Sequence, residues 1–192
     1  MSFLPRWLIG IFAVVLLFLV LGFGGLSLAY GITRQQWDSP MVRRIASFVR
    51  FPAARVGPIA IPYTDYLILM DAQRTLLTTE EAKEGGFETV PEAERRRGAL
   101  DALMRNAATE LLAAQEGIEV TPLDVDRFYD QLVRLAPTST GGTPQEHLQR
   151  NFGWTPKQYK KYVVRFDLLH DILSQKREQA GDQTSVDRLI TQ

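Results

Sequence analysis

Residues that could carry catalysis or bind a metal are few and widely spaced in this sequence. The two histidines, His147 and His170, belong to no HExxH-type pattern, and the chain contains no cysteine. A metal site is therefore not predicted. Carboxylate pairs such as Asp124 and Asp126 suit the first turn of a helix better than acid and base catalysis. We expect no catalytic residue, no metal and no cofactor.

Two glycine pairs are further candidates, because glycine-rich loops can hold phosphate groups. Neither Gly85-Gly86 nor Gly141-Gly142 is followed by the Lys and Ser or Thr of a phosphate-binding loop. We interpret both pairs as linkers. Nucleic-acid binding is not expected either, because residues 56–192 contain 16 Lys and Arg against 21 Asp and Glu.

Aromatic side chains give a better indication of function. They are more numerous in the second half of the chain than a small helical core needs, and two interpretations stay open. They form the core, or some of them line a groove that binds apolar segments of other proteins. The candidate groove residues are Phe128, Tyr129, Phe152, Trp154, Tyr159, Tyr162 and Phe166.

The elements that position these aromatics are predicted to be helices. Residues 55–62 alternate apolar residues with turn formers and predict a short strand or an extended entry to the domain, and two prolines confine it to an edge. Apolar spacing then predicts helices over residues 63–83, from 92 to Gly117, from 122, over 145–150, and from 156 to about 175. Gly85-Gly86 ends the first of these helices, and Thr-Pro pairs at 121–122 and 155–156 are cap signals. A polar breaker run occupies residues 137–144, and residues 177–192 form a polar tail with a short turn at 186–190.

The N-terminal segment predicts a membrane anchor. Between Arg6 and Arg34 lie 27 residues without a charge. As a helix they would reach ~40 Å, which exceeds the hydrocarbon core of ~30 Å. A cleaved signal peptide with a site after Ala29 is the alternative, although its apolar core is usually shorter, ~7–15 residues. We expect an uncleaved single-pass anchor, with lipid contact over residues 7–33.

The charge around the anchor predicts a basic helix beside the membrane. Residues 34–55 contain five Arg and one Asp. Ser39 and Pro40 predict the start of a helix that rests on anionic headgroups. Its apolar side would contain Met41, Val42, Ile45, Phe48 and Val49. Counted literally, the positive-inside rule places the body in the cytoplasm, but large domains can translocate despite such charges.

Three blocks of sequence resemble one known family in order and in spacing. VGPIAIPYTDY at residues 56–66 resembles the opening of the SurA N-terminal domain of SurA, PpiD and PrsA-type chaperones. ALDALM at 99–104 followed by ELLAAQEGIEVT at 110–121 resembles its next motif. FGWT at 152–155, with the apolar positions that continue to Leu173, resembles its last helix. Together the blocks cover residues 53–175. Departures are Val56 in place of the usual Asn, extra prolines around Ile61 and a long acidic linker between the first helices.

The resemblance implies an all-α fold: an N-terminal transmembrane helix and a small multi-helix SurA N-terminal-like domain with a short edge strand. The organisation expected is a cytoplasmic stub and signal anchor at 1–34, a basic juxtamembrane helix at 35–54, the helical domain at 55–176 and a polar tail at 177–192. No parvulin active site accompanies these motifs, so the resemblance argues against prolyl isomerase activity.

The resemblance also implies a function. It predicts a bacterial, periplasmic or extracytoplasmic chaperone-like module, held in the cell membrane, that binds unfolded or nascent exported polypeptides without catalysis. An alternative is an assembly subunit that binds one dedicated membrane-protein partner. A third hypothesis, an isomerase, predicts faster prolyl isomerisation, which we do not expect. The sequence does not indicate an oligomeric state.

Overall fold

The computed structural model describes residues 39–49, 51–135, 142–181 and 185–190. Within these ranges the chain is a mostly helical domain with a small two-stranded antiparallel sheet. No helix among the residues so described is long and apolar enough to cross a membrane. The predicted stub and anchor at 1–34 lie outside the described residues, as do the contacts predicted for residues 7–33.

The described chain begins with helix α1 (Pro40–Phe48). The Ser39 hydroxyl accepts a hydrogen bond from the Val42 amide at 3.3 Å, which confirms the predicted cap with proline in the first turn. The residues predicted for the apolar side of this helix are partly buried and partly exposed. Val42 is 3% exposed and packs in the core, whereas Met41 and Phe48 are 69% and 83% exposed. The helix is therefore docked on the domain by one face.

The single strand predicted over residues 55–62 is wrong in its extent, because a turn divides it. Strands β1 (Pro52–Val56) and β2 (Ile59–Pro62) form a hairpin, with Val56 paired to Ile59. The turn residues are Gly57 and Pro58, and Gly57 has φ +54°, a conformation that tight hairpin turns require and glycine adopts readily. The predicted helical fold with a short edge strand is thus found in part: the described residues form a mostly helical domain, and the strand is replaced by a small two-stranded antiparallel sheet.

The helix predicted over residues 63–83 is also interrupted. Helix α2 (Tyr63–Leu76) ends before a run of threonines, and α3 (Glu80–Glu84) follows it. The hydroxyls of Thr78 and Thr79 donate to the carbonyls of Thr75 and Leu76, each at 2.7 Å. Thr79 then caps α3 by accepting from an amide. Side-chain bonds to nearby backbone replace the helical ones here. A 3₁₀ turn (Phe87–Thr89) leads to the next helix.

The longest helix of the described residues is α4 (Glu92–Gln115), which confirms the helix predicted between residue 92 and Gly117. Its buried residues include Ala99, Leu103, Ala107 and Ala113, which recur at helical spacing. Gly117 follows the helix with φ +69°. This left-handed conformation ends the helix in the way predicted for the glycine.

Helices α5 (Pro122–Leu135) and α6 (Pro144–Phe152) precede a last, long helical segment. That segment consists of α7 (Pro156–Tyr159), a π turn (Lys160–Val164) and α8 (Arg165–Gln179). Thr155 caps it through a capping box with Gln158, so the predicted start is confirmed. The short helix α9 (Val186–Ile190) coincides with the turn predicted at 186–190 within the polar tail, and Val186 is only 3% exposed.

Two hydrophobic clusters make up the core of the part of the chain that the structure describes, and two helical segments run through both. The N-terminal half of α4 and Tyr162 belong to the first cluster, with α1 and α2. Ala113 of α4 and Val164, Leu169 and Leu173 of the last segment belong to the second, with α9. Because α4 and the last segment are fixed at both ends by packing, the surface between them has a defined shape.

Candidate functional site

The seven aromatic residues proposed for a groove fall into two packed groups. Tyr162 and Trp154 are buried in the first cluster, and Phe152 packs against them; the ring centroids of Trp154 lie 5.8 Å from Tyr162 and 5.6 Å from Phe152. Tyr129 contacts Tyr159 edge-on, with centroids 6.3 Å apart. Phe128 and Phe166 pack with this pair against the second cluster.

Two members of this set line an open cleft beside strand β2. We call it the β2 cleft; it has a volume of about 300 Å³. Tyr162 and Phe166 contribute to one wall, and one face of α4 forms another. Trp154 lines a separate cavity of about 370 Å³ next to Thr155. The residues that line the β2 cleft are Ile59, Ala60, Ile61, Pro62, Asp65, Leu103, Asn106, Ala107, Glu110, Lys161, Tyr162, Arg165 and Phe166.

The spacing of these residues explains how the cleft forms. Leu103, Asn106, Ala107 and Glu110 recur at intervals of three and four residues, so they share one face of α4. The whole of β2 lies along the same opening. The cleft is thus bounded by a strand on one side and by helices on the others, with apolar side chains and polar groups both represented.

A second cavity adjoins the first, because Ile59, Glu110 and Arg165 line both. Its volume is about 440 Å³. At the junction the Arg165 guanidinium bonds to the Glu110 carboxylate, with Nε to Oε1 at 3.0 Å, and donates to the Val120 carbonyl at 3.0 Å. This ion pair ties α8 to α4 where the two cavities meet.

A largely buried carboxylate holds the other end of the cleft. The hydroxyl of Tyr162 donates to Asp65 Oδ1 at 2.8 Å, and Lys161 Nζ lies 2.9 Å from each Asp65 oxygen. The Asp65 side chain is 16% exposed. Burial raises the pKa of the Tyr162 hydroxyl, and its hydrogen bond to Asp65 raises that pKa further. These contacts fasten the first turn of α2 to the π turn.

The π turn itself is supported from α4. Asn106 Nδ2 donates to the backbone carbonyl of Tyr162 at 3.1 Å. A π turn disturbs the regular bonding of a helix, and such turns are frequent at functional sites. Here the side chain that satisfies the disturbed backbone is itself a lining residue of the β2 cleft.

The histidines have local partners. His147 Nε2 lies 3.1 Å from Asn151 Nδ2, and His170 Nε2 lies 3.6 Å from Asp187 Oδ1. Within the described ranges no group of three His, Cys, Asp or Glu side chains is placed to hold a metal. The geometry around the cleft offers apolar contact and hydrogen bonding.

Sequence reasoning missed five polar residues of the cleft as site residues: Asp65, Asn106, Glu110, Lys161 and Arg165. Their partners lie between 45 and 97 residues away along the chain. Helical spacing places each on a face of its own helix but does not reveal which other helix that face meets. Asp65 and Glu110 were noted only within the motifs that resemble the SurA N-terminal domain.

Comparison of this chain with protein-family models, with curated proteins and with solved structures gives no match.

Proposed function

We propose that this chain is a membrane-anchored chaperone-like module that binds extended, apolar segments of unfolded polypeptides in the β2 cleft without catalysis. Residues 7–33 would hold it in the cell membrane by a single pass, with the domain on the extracytoplasmic side. The resemblance to the SurA N-terminal domain motivates this proposal. The observation that carries it is a strand edge that borders an apolar opening.

The edge of β2 is suited to a chain in extended conformation. Val56 and Ile59 flank a two-residue turn, so they form a hydrogen-bonded pair. Such pairs alternate with non-hydrogen-bonded pairs along an antiparallel hairpin, so the next pair, Arg55 with Ala60, is not hydrogen-bonded. The N–H and C=O of Ala60 consequently point away from β1. A polypeptide segment that adds to this edge gains backbone hydrogen bonds, which do not depend on its side chains.

The charge of the cleft favours apolar segments. Its two acidic side chains pair with its two basic ones: Asp65 with Lys161, and Glu110 with Arg165. The lining therefore has no excess of either sign. Apolar contacts come from residues such as Leu103 and Phe166. A neutral, partly apolar cleft with a strand edge matches ligands that share an extended backbone and differ in sequence.

The substitution Ala60→Pro tests this function directly. Proline removes the outward N–H and is tolerated at an edge position that does not donate to the neighbouring strand. Ala60→Val is the matched control, since it keeps the N–H and suits a strand. The full chain is reconstituted in lipid nanodiscs, and aggregation of a model protein diluted from denaturant is followed by light scattering.

We expect the wild-type chain and Ala60→Val to slow aggregation, and Ala60→Pro to lose most of this effect while its circular dichroism spectrum stays unchanged. Equal protection by both variants would exclude strand pairing at β2. Absence of protection by the wild-type chain would count against a chaperone. In that case a single partner, recovered in equimolar amount, would support the alternative of an assembly subunit.

A further inference from the structure

Helix α1 has two faces with different surroundings. On the inner face Val42 and Ala46 are each 3% exposed and belong to the first cluster. Beside them the Arg43 guanidinium bonds to both oxygens of Asp71, at 2.6 and 2.8 Å. Such a two-pronged bond fixes orientation as well as distance. The helix is therefore held against α2 in one orientation.

The outer face exposes large apolar side chains. Met41 is 69% exposed, Phe48 is 83% exposed, and Val49 just after the helix is 47% exposed. Met41 and Phe48 are seven residues apart, so at 3.6 residues per turn they lie within ~20° of one another around the axis. Arg44, which is exposed as well, lies beside Phe48 on this face. Apolar groups concentrated on one exposed face are typical of a contact surface.

The chain before the helix indicates which surface that is. The uncharged run ends at Thr33, and α1 begins at Pro40. The seven Cα-to-Cα steps from Thr33 to Pro40 span at most ~25 Å even when fully extended, so α1 stays close to the end of that run. Residues 34–55 also contain five Arg against one Asp. Arginine beside apolar side chains matches the chemistry of a bilayer surface with anionic headgroups.

We propose that the outer face of α1, formed by Met41, Arg44, Phe48 and Val49, lies on the surface of the bilayer. This inference rests on the proposed membrane anchor at residues 7–33. Because the inner face is fixed to α2 by Arg43 and Asp71, lipid contact by the outer face sets the orientation of the whole described domain to the membrane. The helix thereby fixes the position of the domain relative to the bilayer surface.

The absence of cysteine from the sequence makes the test simple. Phe48→Cys and, as a control, Gln175→Cys are each labelled with an environment-sensitive fluorophore. Both positions are exposed, so neither substitution removes a buried side chain. The full chain is reconstituted in nanodiscs of phosphatidylcholine with or without phosphatidylglycerol, and a nitroxide quencher is placed on the lipid at the depth of the headgroups.

We expect quenching at position 48 to exceed that at position 175 by about twofold or more, and to increase with the anionic lipid. Equal quenching at both positions would overturn the proposal. Formation of a disulfide between two unlabelled chains of the Phe48→Cys variant, with no quenching, would identify a second copy as the occupant and would overturn it as well. Co-elution of the chain with nanodiscs tests the anchor separately. A chain that co-elutes but shows no quenching at position 48 supports the anchor and refutes lipid contact by α1. A chain that does not co-elute refutes both proposals.

Discussion

Tyr162→Phe removes the hydrogen bond that Tyr162 donates to Asp65 beside the β2 cleft, together with a longer one, at 3.2 Å, that its hydroxyl accepts from Lys161. The bond to Asp65 dominates the expected effect. The hydroxyl donates to Asp65 at 2.8 Å, and Tyr162 is 7% exposed. A hydrogen bond to a charged group contributes about 1.5–3 kcal/mol to the free energy of unfolding. Lys161 still contacts Asp65 in the variant, but its side chain is 56% exposed, so that ion pair contributes little, ~0–1 kcal/mol. We therefore expect a loss of about 1.5–3 kcal/mol.

The same substitution changes the dependence of stability on pH. Burial and the bond to Asp65 raise the pKa of Tyr162 above its unfolded value of about 10. The unfolded chain releases this proton first, so the contribution of Tyr162 is complete below pH ~10 and is lost as the pH rises through the folded pKa. Because phenylalanine cannot titrate, the variant should lose stability less steeply above pH ~10 than the wild-type chain.

Urea unfolding of the full chain in non-ionic detergent, followed by circular dichroism, measures both effects. Tyr159→Phe is the matched control, since Tyr159 is half-buried beside Tyr129 and the described residues give its hydroxyl no hydrogen bond. We expect that control to change the unfolding free energy by less than ~0.5 kcal/mol. If Tyr162→Phe behaves like the control at neutral pH and keeps the alkaline slope of the wild-type chain, the reasoning about Asp65 is refuted.

Three further substitutions test the ends of helices. Lys176 bonds to Glu116 and lowers the pKa of its carboxyl, so Glu116→Gln should be less stable than the wild-type chain at pH 7 and equal to it once the pH falls well below ~4.3, in acid unfolding curves. Gly153 and Gly117 have φ +66° and +69°, but a Cβ at Gly153 would lie 3.3 Å from Thr75 Oγ1 and one at Gly117 would meet nothing within 4 Å. Gly117→Ala should cost ~1–2 kcal/mol in urea unfolding and Gly153→Ala more; equal costs would show that the neighbour of Gly153 gives way.

Helix starts could be predicted from the sequence because their causes are local. Ser39 and Thr155 each precede a proline, and each hydroxyl accepts a hydrogen bond from an amide three residues later. Such a cap needs no distant partner. The break after Leu76 was missed even though its cause is equally local. Apolar residues keep their helical spacing on both sides of Thr78 and Thr79, so the sequence predicted one continuous helix. That prediction gave too little weight to the tendency of the two hydroxyls to bond to carbonyls of the preceding turn.

The cleft could not be predicted in the same way. Of the seven aromatics proposed for a groove, Tyr162 and Phe166 line it, and the remaining wall comes from residues with no aromatic character, such as Ala107. Helical spacing indicated that Ala107 lies on an apolar face of α4. It did not indicate that this face continues past the core and borders β2. That fact depends on the way the hairpin packs on the helices, which is a tertiary property.

The π turn and the cleft lie where two helical segments, each belonging to both clusters, pack on one another. Where they pass one another, Asn106 reaches the carbonyl of Tyr162, so the irregular backbone of the helical wall is already bonded from within. The side chains of that wall are likewise paired, Arg165 with Glu110 and Tyr162 with Asp65. Because the helical wall already has its hydrogen bonds, a bound polypeptide would find backbone partners at the edge of β2. This is the reason why a substitution at Ala60, and not one in the charged pairs, is the discriminating test of binding.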